Sequence, residues 1–505
     1  MKFRKNMGFL SFFALALLLT VSMTSCEFTL SLSDSGTVTP SDGTESITGS
    51  VVIEGENNKR QIGATQDSLE ITLSYDDSDD MTIRYTTDGT DVNYESTEYT
   101  EPFSIDEDTT ITAAAYDDSG DYCTQTSVDF YKVTDEYSTV ADLQDAIVEL
   151  MSDDEYGTDG DYNHIAPSSS LTDLSYLFSI DDLESFNGDI SAWDVSSVEN
   201  MEYMFKSTES FNQSLNDWDV SSVENMDHMF KSAESFNQSL NDWDVSSVSN
   251  MNSMFQSASV FDGDISEWDV SSVTDMSSMF YNASVFNADI SGWDVSNVID
   301  MSSMFYEAVS FAADLSDWTV SSVTNMSEMF AYASDFDSNL DSWNVSSVTD
   351  MSFMFEYAYS FNVNLNSWNV ENVTSMYNMF AHVSNYESDL SSWNVSSVTN
   401  ISYMFDSTSN TSTVDLSSWD VSSVTDMSYM FFNSDFDCDI SDWKLSSLET
   451  CSWMLGYTSE FYQDLTDWND DLPDGYISYN SIISNSTNMT SSLLPEKLGG
   501  DTTTY

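Results

Sequence analysis

Twelve tryptophans, at 193, 218, 243, 268, 293, 318, 343, 368, 393, 419, 443 and 468, share a preceding slot that could do metal chemistry. Four residues before the Trp stand Asp189, Asp264, Asp289, Asp314, Asp389, Asp415, Asp439 and Asp464. Stacked at strand spacing, neighbouring carboxylates repel by about 1 kcal/mol in water and about 3–4 kcal/mol at an effective dielectric near 20. Ca²⁺, which favours oxygen ligands, would relieve that repulsion. Other copies place Ser214, Ser239, Asn339 and Asn364 in the same slot. These keep an acceptor and lose the charge, so the reading preferred is a ladder of hydrogen bonds to backbone amides, with no metal site and no cofactor. The slot after Trp behaves alike, with Asp269 and Asp294 beside Asn344, Asn369 and Asn394.

Catalysis has little to stand on. The three histidines, His164, His228 and His382, occupy unrelated places, so no nucleophile, base and orienting group can be assembled. Acidic pairs are so numerous that none has priority as a glycosidase dyad. No enzyme activity is expected. Sequons such as Asn282-Ala-Ser and Asn394-Val-Ser follow from the repeat itself. Binding residues are sought at its variable positions. One set, Asp217, Asp242, Glu267, Asp317 and Asp442, precedes Trp; the other is Tyr281, Tyr306, Tyr332, Tyr357 and Tyr359. Tyr beside acidic groups suits protein contacts, although plain packing is the competing reading.

The elements that position these residues repeat every 25 residues, with one interval of 26 and one of 24. A period in this range means stacked units. In the copy around Trp268, "DISEWDV" has extended character, with Trp268 and Val270 on one face. Val273, Met276, Phe280 and Ala283 then follow at intervals of three, four and three, which predicts a short α-helix. Ser271 and Ser272 are read as its N-caps, and Ser196…Glu199 and Ser221…Glu224 as capping boxes. Each unit thus reads as strand, cap, short helix and turn. Twelve such strands at about 4.8 Å give a parallel sheet face on the order of 55 Å long.

"WDVSSVTDMSSMF…FNADISGWDVS" resembles the bacterial BspA-like surface-protein repeat, a leucine-rich-repeat-like family of secreted proteins and lipoproteins. The resemblance implies a solenoid displayed at the cell surface, with adhesion or protein binding as its role. Asn163, Ile165 and 171–178 resemble the family's lead-in, where a helix caps the open end. Upstream, Tyr85, Asp88, Gly89, Thr90, Ser96, Tyr99, Pro102, Thr110, Ala113 and Gly120 resemble the immunoglobulin-like domain found at the end of bacterial chitobiases. That resemblance implies an accessory spacer. Val92 stands where that family usually has Pro.

The fold expected is therefore an α/β repeat solenoid, with parallel strands and short helices, behind a small all-β sandwich. The chain divides into a lipoprotein signal peptide (1–25), a Ser/Thr-rich tether (26–46) and the sandwich (47–134). A solenoid cap (135–170), the twelve-copy repeat (171–468) and a C-terminal cap with a loose tail (469–505) follow. The signal reads as a basic "MKFRKN", an apolar "GFLSFFALALLLTV" and "SMTSC", which makes Cys26 the lipidated residue; an ordinary secretory signal is the alternative. Cys123, Cys438 and Cys451 remain, too few for a disulfide framework, with a Cys438–Cys451 bridge left open.

With 11 Lys and Arg against 87 Asp and Glu, the net charge is -76. Such a surface repels phosphate backbones, which excludes nucleic-acid partners, and attracts basic ones. The expected function is a non-catalytic, lipid-anchored protein of the cell envelope or outer surface, touching the membrane only through its lipid and binding a protein partner. Carbohydrate binding through the sandwich and a structural coat are the alternatives.

Overall fold

The computed structural model describes residues 50–498, apart from 56–58, 65, 67, 76–80, 118, 119, 121, 154, 155, 410–413 and 476. Cys26 and the whole leader lie outside the described residues.

Nine strands lead the chain: β1 (Val52–Gly55), β2 (Gln61–Ile62), β3 (Leu69–Ser74), β4 (Thr82–Thr86), β5 (Thr97–Glu98), β6 (Phe103–Ile105), β7 (Thr109–Tyr116), β8 (Thr126–Lys132) and β9 (Asp135–Tyr137). One sheet has the order β1-β3-β6 and the other β2-β8-β7-β4-β5. Leu69, Ile71 and Leu73 alternate with exposed neighbours along β3, and they share one core with Ile111, Ala113 and Phe130 of the other sheet. The strand β9 pairs in parallel with β10 (Ile165–Pro167), and between them runs α1 (Val140–Met151). Thr139 caps α1, its hydroxyl accepting from the Asp142 amide at 3.1 Å. Leu143 and Ile147 of α1 are buried in the same core as the repeats.

The repeats do not form the α/β solenoid that their spacing predicts. Among the described residues of 171–468 there is neither an α-helix nor a regular strand. Each 25-residue unit is instead a coil of turns. It pairs with its neighbours at single parallel bridges such as Asn250↔Asp275 and Asp275↔Asp300. The sheet face expected beside Trp is likewise missing, for the repeating bridges, from Asn200 to Thr450, lie seven residues beyond Trp193 to Trp443.

The tract after the bridge shows why no helix forms. Met279, Tyr281 and Ala283 donate their amides to Met276, Ser278 and Phe280 of the same coil, at 3.2, 3.1 and 3.0 Å. The alternate amides of Met276, Ser278, Phe280 and Asn282 donate to Asp300, Ser302, Met304 and Tyr306 of the next coil, at 3.1, 2.8, 2.9 and 2.6 Å. A helix would keep all of these bonds internal. Ser278 and Asn282 have φ of 55°, the sign that the third residue of a type II turn requires. Two such residues recur in coil after coil, for example Ser253 and Ser257, or Ser303 and Glu307.

The hydroxyls read as helix caps serve elsewhere. Ser196 and Ser221 bond the carboxylates of Asp194 and Asp219 (Oγ to Oδ1, 2.6 Å in both), two residues back. Glu199 and Glu224 donate their amides to Thr172 and Glu199 of the preceding coil.

Aromatic columns fill the interior. Phe255, Phe280 and Phe305 stack at 5.7 Å between centroids, Trp243, Trp268 and Trp293 at 6.3 and 6.1 Å. Each indole also donates to the preceding coil, as Trp268 Nε1 does to the Leu240 carbonyl at 2.8 Å. Helices pack with axes about 8–10 Å apart, too wide for this pitch. At the far end Met489, Leu494 and Leu498 are buried against the last coils.

Replacing Ser278 by Gly is expected to raise stability by up to about 1 kcal/mol, because a left-handed conformation costs a side chain about 1–2 kcal/mol and Gly almost nothing. In a helix the same change costs about 0.5–1 kcal/mol. Thermal melts of S278G therefore read the backbone by the sign of the shift.

Candidate binding surface

In the tract 276–283, Met276, Met279, Phe280 and Ala283 point inward and are buried, while Ser277, Ser278, Tyr281 and Asn282 remain partly exposed. The outward positions of successive coils line up into a ridge. Tyr281 stacks on Tyr306 at 4.4 Å, Tyr306 meets Tyr332 at 5.3 Å and 49°, Tyr332 stacks on Tyr357 at 4.7 Å, and Tyr357 on His382 at 4.1 Å. Tyr359 stands edge-on to Tyr357 and is exposed. Four of the five tyrosines named from sequence thus form one continuous column, with Tyr359 beside it.

A second aromatic column stands in another register of the coil, ten residues after Trp, where Tyr281 stands thirteen after and Tyr332 fourteen after. Tyr176, Tyr203 and His228 stack at 4.8 and 4.4 Å near one end, and Tyr403, Tyr429 and Trp453 at 4.6 and 6.1 Å near the other. Tyr203, His228, Tyr403, Tyr429 and Trp453 each stand ten residues after a Trp. That shared register was the signal available in the sequence. It went unread because a helical wheel places that position with no regard to the neighbouring coil.

Carboxylates accompany the rings. Glu356 is 9% exposed, and burial together with the charge of Glu328 pushes its carboxyl up to about 7. Asn378 donates to it (Nδ2 to Oε1, 2.6 Å), while the buried Asn378 Oδ1 has no hydrogen-bond partner among the described residues. A neutral Glu356 carries the hydroxyl donor that this oxygen lacks. Burial also raises Asp406 and lowers His382, which leaves His382 uncharged at neutral pH. The hydroxyls of Tyr281, Tyr306, Tyr332 and Tyr357 are raised by burial and then by nearby rings and carboxylates, so they stay protonated.

The Asp slots beside Trp are backbone staples. Asp264 Oδ1 accepts the Ser266 amide at 3.1 Å, Asp269 that of Ser271 at 3.0 Å, and Asp289 that of Ser291 at 3.0 Å. Asn339 and Asn344 accept in the same way from Asp341 and Ser346, at 3.1 and 3.2 Å. A third slot, at the bridge, does likewise, with Asp275 accepting from Ser277 at 2.9 Å. Reading the sequence around Trp alone missed it. The Ser271 and Ser291 hydroxyls, and then their amides, hold Asp269 and Asp289 below the usual carboxylate range. Among the described residues no three His, Cys, Asp or Glu side chains are grouped to hold a metal ion.

Asp217, Asp242, Glu267, Asp317 and Asp442 are exposed, each in the slot before Trp. The first coils use this slot and the one after Trp to hold the sandwich. Arg60 Nη1 pairs with Asp217 Oδ2 at 3.0 Å, Lys59 pairs with Asp194, and Gln61 Nε2 donates to the Asn163 carbonyl at 2.6 Å. The three histidines are not brought together. His164 packs edge-on to Tyr131, and His228 lies 2.6 Å from Asp227 and stacks on Tyr203. Cys438 and Cys451 are both free, and Cys451 is buried.

Segments 167–265, 237–341, 310–414 and 388–493 match the family described as "Mycoplasma protein of unknown function, DUF285". The chain belongs to the DUF285 family. The narrower BspA-like grouping is not what matches. In this DUF285 protein, residues 61–126 are also similar to the chitobiase/beta-hexosaminidase C-terminal domain, as the residues of the sandwich imply. No curated protein and no solved structure matches the chain.

Glu356 and the Asp staples pull stability in opposite directions with pH. A carboxyl raised on folding contributes fully below its unfolded value and loses that contribution as pH rises through about 7. Carboxyls lowered on folding, such as Asp269, contribute above the ordinary carboxylate range and are lost as pH falls through their depressed values. Glu356→Gln should therefore raise the melting temperature at pH 8 and leave it little changed at pH 4. Equal shifts at both pH values would refute a raised Glu356.

Proposed function

We propose that this protein is a non-catalytic, extracytoplasmic surface protein, anchored by lipid at Cys26, whose coil stack holds a protein partner along the aromatic ridge. The observation that carries the binding assignment is the column Tyr281–Tyr306–Tyr332–Tyr357–His382, partly exposed over five consecutive coils. Rigid aromatic side chains provide contact area at small entropic cost and are enriched in protein interfaces. The "SMTSC" leader supports the anchor, and the tether and sandwich would lift the stack from the membrane. Adhesion to a host or matrix component, or to a neighbouring cell, fits this arrangement.

A carbohydrate-binding role is the second reading. It is favoured by the similarity of 61–126 to the chitobiase C-terminal domain and by Tyr94, which is exposed and lies 4.9 Å below the Arg84 guanidinium. The test uses the full chain on cells, with Tyr306, Tyr332 and Tyr357 replaced together by Ser. Loss of binding to extracellular-matrix protein coats, with the fold intact by circular dichroism, is expected. Retained protein binding would sink the ridge assignment. Retention on polysaccharide, lost in Tyr94→Ala, would favour the second reading instead.

A further inference from the structure

No Lys or Arg occurs between Lys231 and Lys444, a stretch that spans the Tyr281–His382 part of the ridge. Its rings have carboxylates in the same coils and no lysine or arginine from this stretch. Glu307 and Glu328 act on Tyr306 and Asp406 on Tyr357, while the buried Glu356 is set aside because its carboxyl is raised to about 7. The ridge does hold cations at its other end. Lys206 Nζ lies 5.1 Å from the centroid of the Tyr203 ring, and Lys231 follows in the next coil. Lys206 and Lys231 stand thirteen residues after their Trp, in the column that Tyr281 and Tyr306 occupy further along. In the first coils the chain therefore places an ammonium of its own, that of Lys206, against an outward ring. In the middle coils rings and carboxylates are present and the cation is missing.

We infer that the ridge from Tyr281 to His382 is the docking site of a lysine- or arginine-bearing segment of the partner. The inference rests on reading the ridge as the binding face and adds the chemistry of what binds there. Cations are drawn to aromatic faces, and the carboxylates beside them complete the pairing. Two features leave rings accessible: the 49° tilt between Tyr306 and Tyr332, and the exposed Tyr359. The net charge of -76 steers a basic segment toward the stack. A second copy of this chain cannot supply the segment from its own middle coils, which carry the same sign of charge and no Lys or Arg. A neutral sugar would stack on the rings and donate hydroxyls to the carboxylates, but it would leave their charge uncompensated.

The test is a fluorescence-anisotropy titration of the full chain with a labelled octalysine peptide in 150 mM salt (about 8 Å of screening length, so that contact outweighs long-range attraction). Two ridge variants are compared, Y306L/Y332L/Y357L and E307Q/E328Q. The control, D242N/E267Q, removes as much charge as the second variant but from the column before Trp. Each ridge variant should weaken binding about tenfold or more, and the control less than about threefold. Equal weakening by E307Q/E328Q and the control, or no effect of the Tyr changes, would mean diffuse counter-ion attraction and overturn the site. Displacement of the peptide by a neutral oligosaccharide would overturn it too. Should the Tyr variant fail to fold, the paired charge variants still decide. A ridge variant that loses matrix-protein binding although the wild type never bound octalysine would sink only the cationic assignment and leave the binding face standing.

Discussion

The spacing of this coil stack is set by one constraint: alternate backbone amides must find carbonyls in the next coil. Met276, Ser278, Phe280 and Asn282 reach Asp300, Ser302, Met304 and Tyr306, and the neighbouring coils repeat the pattern. A buried backbone polar group left unpaired costs as much as a lost hydrogen bond, so the coils must close to parallel-strand distance. The rest follows from that approach. Phe and Trp columns stack because their rings are carried to 5.5–6.3 Å from each other, as from Phe230 to Phe280 and from Trp243 to Trp268. Side chains at 278 and 282 accept positive φ because the turns that expose the alternate amides require it.

The same pitch turns the surface into columns of like residues. For the Asp staples that would be costly without compensation, and each carboxylate is offset by the amide two residues on. For the outward rings it is favourable, since aromatic faces meet at stacking distance from coil to coil. One-sided charge is the outcome: carboxylates stand over 212 successive residues, from 232 to 443, that hold no Lys or Arg. Within that stretch the carboxylates have no compensating Lys or Arg of their own.

Much of this was legible in the sequence, and the exception is instructive. The period, the buried set and the staple role of the Asp slots could be read, because Asn339 and Ser239 keep the acceptor where Asp264 has charge. The helix was misread because Val273, Met276, Phe280 and Ala283 fall at three, four and three, the spacing of a helical face. Turns of four residues, each closed by an amide to the carbonyl three back, bury the same positions. Spacing within one unit cannot separate the two. What separates them lies between units, where a 25-residue coil has no width for a helix at this pitch. The tyrosine column was found residue by residue, whereas the second column, with Tyr203 and Tyr429, depends on stacking across coils, which a single unit does not display.

The pitch on the side where helices were expected is the central quantity. Val260 and Ser360 are exposed, stand at the same place in coils four apart, and precede Phe261 and Phe361 in a column spaced 5.9–6.2 Å per coil. Spin labels at V260C and S360C, with the native cysteines replaced, should give an electron–electron distance centred at about 24 Å, four steps of that column. Coils carrying packed helices would separate the labels by about 32–40 Å, and a distance in that range would contradict the stack of turns described here.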